Sequence, residues 1–247
     1  MLWKVILLTA VAGMGGTGLG GAVACCFRRD SEQMVSLLLS FAAGVMTAVV
    51  CFDLLGDAMA QKGIGLLPVC GGVLAGYLAV AVLNGCIQRQ QQGQHGGLFL
   101  AGVVMGAAIA LHNVPEGMVI GASCAKEAGG ETLGRSGLVM AAVIGLHNVP
   151  EGMAVAVPLI AGGMGRWKAV LMTAVTGMPT VLGAVLGYAL GTLGPAALSL
   201  CLSFASGAML YVVFGELLPE SVLLWRSRLP ALAAVAGMLV GMGIVYG

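Results

Sequence analysis

Long apolar stretches separated by short polar punctuation run the whole length of this chain. A helix needs about 20 predominantly apolar residues to cross the hydrocarbon core of a bilayer. Stretches of that kind lie near 2–27, 34–60, 64–87, 98–125, 136–161, 168–193, 196–223 and 229–246. The pattern predicts an all-α integral membrane protein of eight transmembrane helices, with 1–247 forming a single transmembrane domain. Between the third and fourth stretches the only low-complexity segment, the glutamine-rich run near 88–97, reads as a polar loop.

Composition agrees with the pattern. Of the 247 residues 59% are hydrophobic and 9% charged, a balance that a soluble domain of this length could not place on its surface. The 41 glycines point to helices packed at close range, because small residues replace the hydrophobic effect as the means of association inside lipid. A net charge of +1 supplies no basic field for nucleic acid. The seven cysteines lie mostly within apolar spans, without metal or disulfide spacing, and read as small core residues. The first stretch ends in Ala22-Val-Ala-Cys25, a border resembling that of a signal peptide, but its length and the following Arg28 and Arg29 favour a retained helix.

Orientation follows from the basic residues. Arg28, Arg29, Arg89, Arg166, Lys168, Arg226 and Arg228 fall on one side of the predicted bundle, against Lys4, Lys62, Lys126 and Arg135 on the other. The positive-inside rule then puts the first side, including the loop near 88–97, in the cytoplasm and both termini outside it.

Inside the spans, polar positions are few and patterned. The string His-Asn-Val-Pro-Glu-Gly occurs at 112–117 and again at 147–152, in the middle of the fourth and fifth stretches. Ionisable groups at membrane depth are costly and are kept where they face a partner, a cavity or an ion. At about 100° per residue, Glu116 comes back to roughly 40° from His112, with Asn113 near 100°. If the two helices face each other, His112, Glu116, His147 and Glu151 converge as a near-tetrahedral set whose two carboxylates neutralise one divalent ion. The glutamates can also bridge toward a second ion on the side of Asn113 and Asn148. Pro115 and Pro150 should kink each helix and free the carbonyls of Leu111 and Leu146 beside the site.

A second repeat frames the first. Ser40-Phe-Ala-Ala-Gly-Val-Met46 in helix two matches Ser203-Phe-Ala-Ser-Gly-Ala-Met209 in helix seven, and at the same offset Asp53-Leu-Leu-Gly-Asp57 matches Glu216-Leu-Leu-Pro-Glu220. The two copies run in opposite directions, so helices 1–3 and 6–8 read as an inverted repeat with helices 4–5 between them carrying the metal site, an arrangement typical of secondary transporters. Asp53 and Asp57 then lie toward the outer mouth and Glu216 and Glu220 toward the inner one, as entrance and exit residues for cations.

The twin His-Asn-x-Pro-Glu-Gly motifs on the fourth and fifth of eight helices resemble the ZIP family of divalent metal transporters, in particular its bacterial branch related to the zinc uptake permease. The resemblance implies uptake of Zn(II), with Fe(II), Mn(II), Co(II) and Cd(II) as further substrates, into the cytoplasm across a bacterial inner membrane, by a homodimer, with no organic cofactor. It carries primary-site ligands onto His112, Glu116, His147 and Glu151, and second-site ligands onto Asn113 and Asn148 with both glutamates shared. It also implies an elevator-like movement of helices one, four, five and six against two, three, seven and eight, with a channel-like route through a fixed pore as the alternative. One position departs from the pattern: where bacterial relatives have a glutamate in helix six, Gly177-Met-Pro-Thr180 has a hydroxyl, which weakens the expected second site. An intramembrane metal-dependent enzyme or a metal sensor is the alternative. A zinc protease, however, wants His-Glu-x-x-His, and both strings here read His-Asn-x-x-Glu.

Overall fold

The computed structural model describes residues 2–26, 32–91, 98–126 and 134–246. Among them the chain is helical almost throughout and contains no strand. Eight long helices follow one another: α1 (Leu2–Cys26), α2 (Gln33–Met59), α3 (Leu66–Gln91), α4 (Leu98–Lys126), α5 (Arg135–Ala161), α6 (Arg166–Thr192), α7 (Pro195–Leu224) and α8 (Leu229–Tyr246). Seven of these are long and apolar enough to cross a membrane, one fewer than the sequence pattern predicts. The eighth, α4, has 29 residues, ample for a span, and carries His112, Asn113, Pro115 and Glu116 along its middle as α5 carries the second copy of the motif. Of the segment near 88–97, α3 continues through Gln91 and 92–97 lie outside the described residues, as do Arg28 and Arg29.

Both α4 and α5 run through Pro115 and Pro150 as continuous helices. Irregularity lies elsewhere. Widened π-type turns interrupt α1 at Val11–Gly15, α2 at Val49–Leu54 and α7 at Val213–Leu217, and α6 is broken between Thr176 and Pro179. Such turns tend to mark functional positions, because the extra residue turns side chains out of register. Asp53 and Glu216 sit within the turns of α2 and α7.

The helices pack as two groups. In one, α1 lies along α5, α4 along α6 and α4 crosses α5; in the other, α2 lies along α8 and α3 along α7. The groups meet where α7 passes α4 and α2 passes α5. Glycine makes the first group possible: a methyl on Gly117 would collide with the Thr180 carbonyl, and one on Gly152 with the Thr17 carbonyl. The cysteines do not all join the core, since only Cys124 and Cys201 are buried while Cys26, Cys51, Cys70 and Cys86 face outward. Cysteine is apolar enough to sit on a surface that meets lipid.

Candidate metal centre

The two polar strings meet where α4 crosses α5. Glu116 from α4 and His147 and Glu151 from α5 bring one ligand atom each within 4.8 Å of one another, and all three side chains are buried. His147 Nε2 lies 3.0 Å from Glu116 Oε1. Donors on a tetrahedral zinc stand about 3.3 Å apart, so a small closure brings the three onto one ion. The remaining atoms of the cluster are unsatisfied: among the described residues Glu116 Oε2, His147 Nδ1 and both oxygens of Glu151 have no hydrogen-bond partner. Buried polar atoms are nearly always paired, and two carboxylates sharing one imidazole in a dry interior carry a heavy desolvation cost. A divalent cation offsets both charges at once.

His112 is not brought into this cluster. Its Nε2 pairs instead with Glu216 Oε2 of α7 at 2.9 Å. Asn84 of α3 holds Glu216 in place, donating from Nδ2 to Glu216 Oε1 at 2.6 Å and to the Tyr211 hydroxyl at 3.0 Å. A cavity of about 260 Å³ reaches this group, lined among others by His112, Asn84, Glu216 and Glu220. Three residues of one string thus face three neighbours: His112 turns to α7, Glu116 to α5 and Asn113 to α6. Wheel geometry puts His112 and Glu116 on one side of α4, but a partner on α7 draws His112 outward.

The asparagines form a separate polar seam. Asn113 Nδ2 donates to Ile109 O at 3.0 Å and to Thr176 O at 2.9 Å, and its Oδ1 accepts from Thr180 Oγ1 at 3.1 Å and from Asn148 Nδ2 at 3.4 Å. Asn148 Nδ2 also approaches Ala12 O at 3.5 Å. On the opposite side of the bundle Asp53 lines a pocket of about 390 Å³ with Arg135, Ser136 and Tyr246, away from the motif side chains. Asp57 sits one turn further along α2, partly buried. Of the residues around the centre, sequence reasoning missed Asn84 and Tyr211. A lone asparagine within the apolar run of α3 is the signal that could have found the first.

Comparison with known proteins converges on the same region. A family model described as ZIP Zinc transporter matches residues 83–247. The chain is 34% identical to the zinc transporter ZupT of Akkermansia muciniphila, over 98% of this chain and 96% of that protein. It is 32% identical to ZupT of Chlorobium luteolum, over 97% and 94%, and 30% identical to ZupT of Salmonella paratyphi A, over 97% and 95%. A match to the family model over more than half of the chain, joined to relatives of this identity over almost its full length, places the protein in the ZIP zinc transporter family.

Proposed function

We propose that this protein takes up divalent transition-metal ions, Zn(II) foremost and Fe(II), Mn(II), Co(II) or Cd(II) by the same chemistry, through a site at the α4–α5 crossing. The observation that carries this reading is the buried trio Glu116, His147 and Glu151, two carboxylates and an imidazole whose unsatisfied atoms suit a dication and little else. The relatives' description as zinc transporters supports zinc as the cargo. Histidine with carboxylate holds such ions less firmly than a thiolate cage, as a site that must also release requires. The chain acts as a transporter and not as an enzyme, and the metal is its substrate, with no organic cofactor needed.

The route runs from one mouth to the other past this centre. His112, Glu216 and Glu220, around the cavity on one side, serve as the exit, and Asp53 and Asp57 serve as the entrance. In this reading α4 is the eighth span, the whole of 1–247 is one transmembrane domain, and both termini lie outside the cytoplasm of a bacterial inner membrane. The excess of Arg and Lys on the opposite side supports that orientation. The protein works as a homodimer, as the family resemblance implies.

An inverted repeat of α1–α3 and α6–α8 is supported by the packing. Exchanging α1 with α6, α2 with α7, α3 with α8 and α4 with α5 turns the α1–α5 contact into the α6–α4 contact, and the α2–α8 contact into α7–α3. The close approaches follow the same exchange: Gly152 against Thr17 mirrors Gly117 against Thr180, and Gly44 against Ala234 mirrors Gly207 against Val73. The π-type turns holding Asp53 and Glu216 correspond too. Division into α1, α4, α5, α6 and α2, α3, α7, α8 favours a rigid-body movement of the first group against the second.

The test is accumulation of radioactive zinc by bacterial cells that lack their own zinc importers. Expression of this chain should give saturable uptake, and His147→Ala should abolish it at equal membrane abundance. Uptake equal to the empty vector, with the protein present in the membrane, would contradict the proposal.

A further inference from the structure

The two motif asparagines differ in what they have left to offer. A primary amide has two N–H groups and two carbonyl lone pairs. In Asn113 all four are used, by Ile109 O and Thr176 O on the nitrogen and by Thr180 Oγ1 and Asn148 Nδ2 on the oxygen. In Asn148 the carbonyl oxygen has no partner. Asn113, Asn148 and Thr180 are each fully buried.

We propose that the Thr180–Asn113–Asn148 seam takes the place of a second ion, so that this transporter binds one transition-metal ion per chain. The ion is held by Glu116, His147 and Glu151, with the Asn148 carbonyl oxygen as the neighbouring donor. The inference rests on the transport reading above and narrows it.

Three observations lead to it. Ligation by the Asn113 oxygen would displace the Thr180 hydroxyl and the Asn148 amide, orphaning donors in a fully buried place where polar atoms are seldom left unpaired. Space is also closed: a methyl on Gly13 of α1 would collide with Thr180 Oγ1, so the α1 backbone already lies against the hydroxyl. Charge gives the third limit. Two glutamates balance one dication, and the neighbouring carboxylate, Glu216, is taken up by His112 and Asn84. A second dication would therefore be buried without compensation. Thr180 and Asn113 act as positioning residues, fixing α4 against α6 one turn from Glu116.

The experiment counts zinc on the full-length protein purified in detergent, by elemental analysis after loading and desalting, with the Glu116→Gln/Glu151→Gln double variant as the blank. Wild type should hold one zinc per chain above the blank, and Thr180→Glu, which restores a carboxylate beside the seam, should hold two. Thr180→Val, close in shape, keeps the measurement informative if the glutamate variant does not fold. It should still hold one zinc while melting at a lower temperature. Two ions on wild type would overturn the proposal, as would a folded Thr180→Glu that still holds one, or loss of the ion in a folded Asn113→Ala variant. No ion above the blank on wild type would instead overturn the transport reading itself.

Discussion

At the scale of single residues, function here comes down to which buried polar atoms are satisfied by protein and which are not. Glu151 has neither oxygen paired, whereas Glu216 is held by Asn84 and His112. In the proposed route the first receives a cation and the second passes one on. Asn84→Leu removes the donor to Glu216 without touching the central trio. By analogy with partners that orient metal ligands elsewhere, transport should fall by about 10-fold while zinc affinity at the centre is unchanged. Isothermal titration beside a flux assay separates the two; an equal loss in both would show that Asn84 acts on the centre itself. The residues were unevenly legible in the sequence. A duplicated His and Glu within apolar spans marks Glu116, His147 and Glu151 directly. The same signal puts His112 beside them, because the helical wheel sees only α4 and not the carboxylate on α7 that competes for the imidazole.

At the scale of elements, glycine and the π-type turns add irregularity that the two prolines do not account for. Pro115 and Pro150 have no N–H to give the carbonyls of Leu111 and Leu146, yet α4 and α5 continue as helices past them, and the changes of helical type fall in α1, α2, α6 and α7. Runs of small and apolar residues give no periodic warning of a widened turn, so these features were invisible in the pattern. Helix positions were visible, since hydropathy alone sets them to within a few residues. The close approaches make a quantitative prediction. Valine at Gly117 or at Gly152 should each destabilise the fold by about 1–3 kcal/mol through overpacking, and by similar amounts, because both meet an equivalent threonine carbonyl. Gly71, with open space around its Cβ direction, should accept valine with little change. Thermal unfolding of the three variants in detergent checks this; a Gly152→Val variant as stable as wild type would show that α1 and α5 are not locked there.

At the scale of the whole molecule, the two ends of the bundle are not alike. A cavity of about 260 Å³ runs to His112 beside Glu216 and Glu220, while the pocket at Asp53 is lined by Arg135 and Tyr246 and by none of the motif residues. A small apolar pocket of about 80 Å³ touches His147 from the α2 and α8 side. The larger cavity thus ends at His112, about one turn of α4 from Glu116, on the Glu216 side of the bundle. In the proposed inverted repeat the mirror arrangement would use equivalent contacts, so exchange between the two would require sliding of one helix group and no unfolding. Two-sided access to one buried site distinguishes a carrier from a sensor, which needs access from one side alone. The most direct measurement is zinc flux into proteoliposomes containing a zinc-sensitive dye, with wild type compared against His147→Ala and Glu151→Gln at equal reconstitution. Saturable entry is expected for wild type, with loss of at least about 100-fold in each variant, since a ligand should matter more than the partners that orient it. Wild-type flux that is absent, or that survives in both variants, would contradict it.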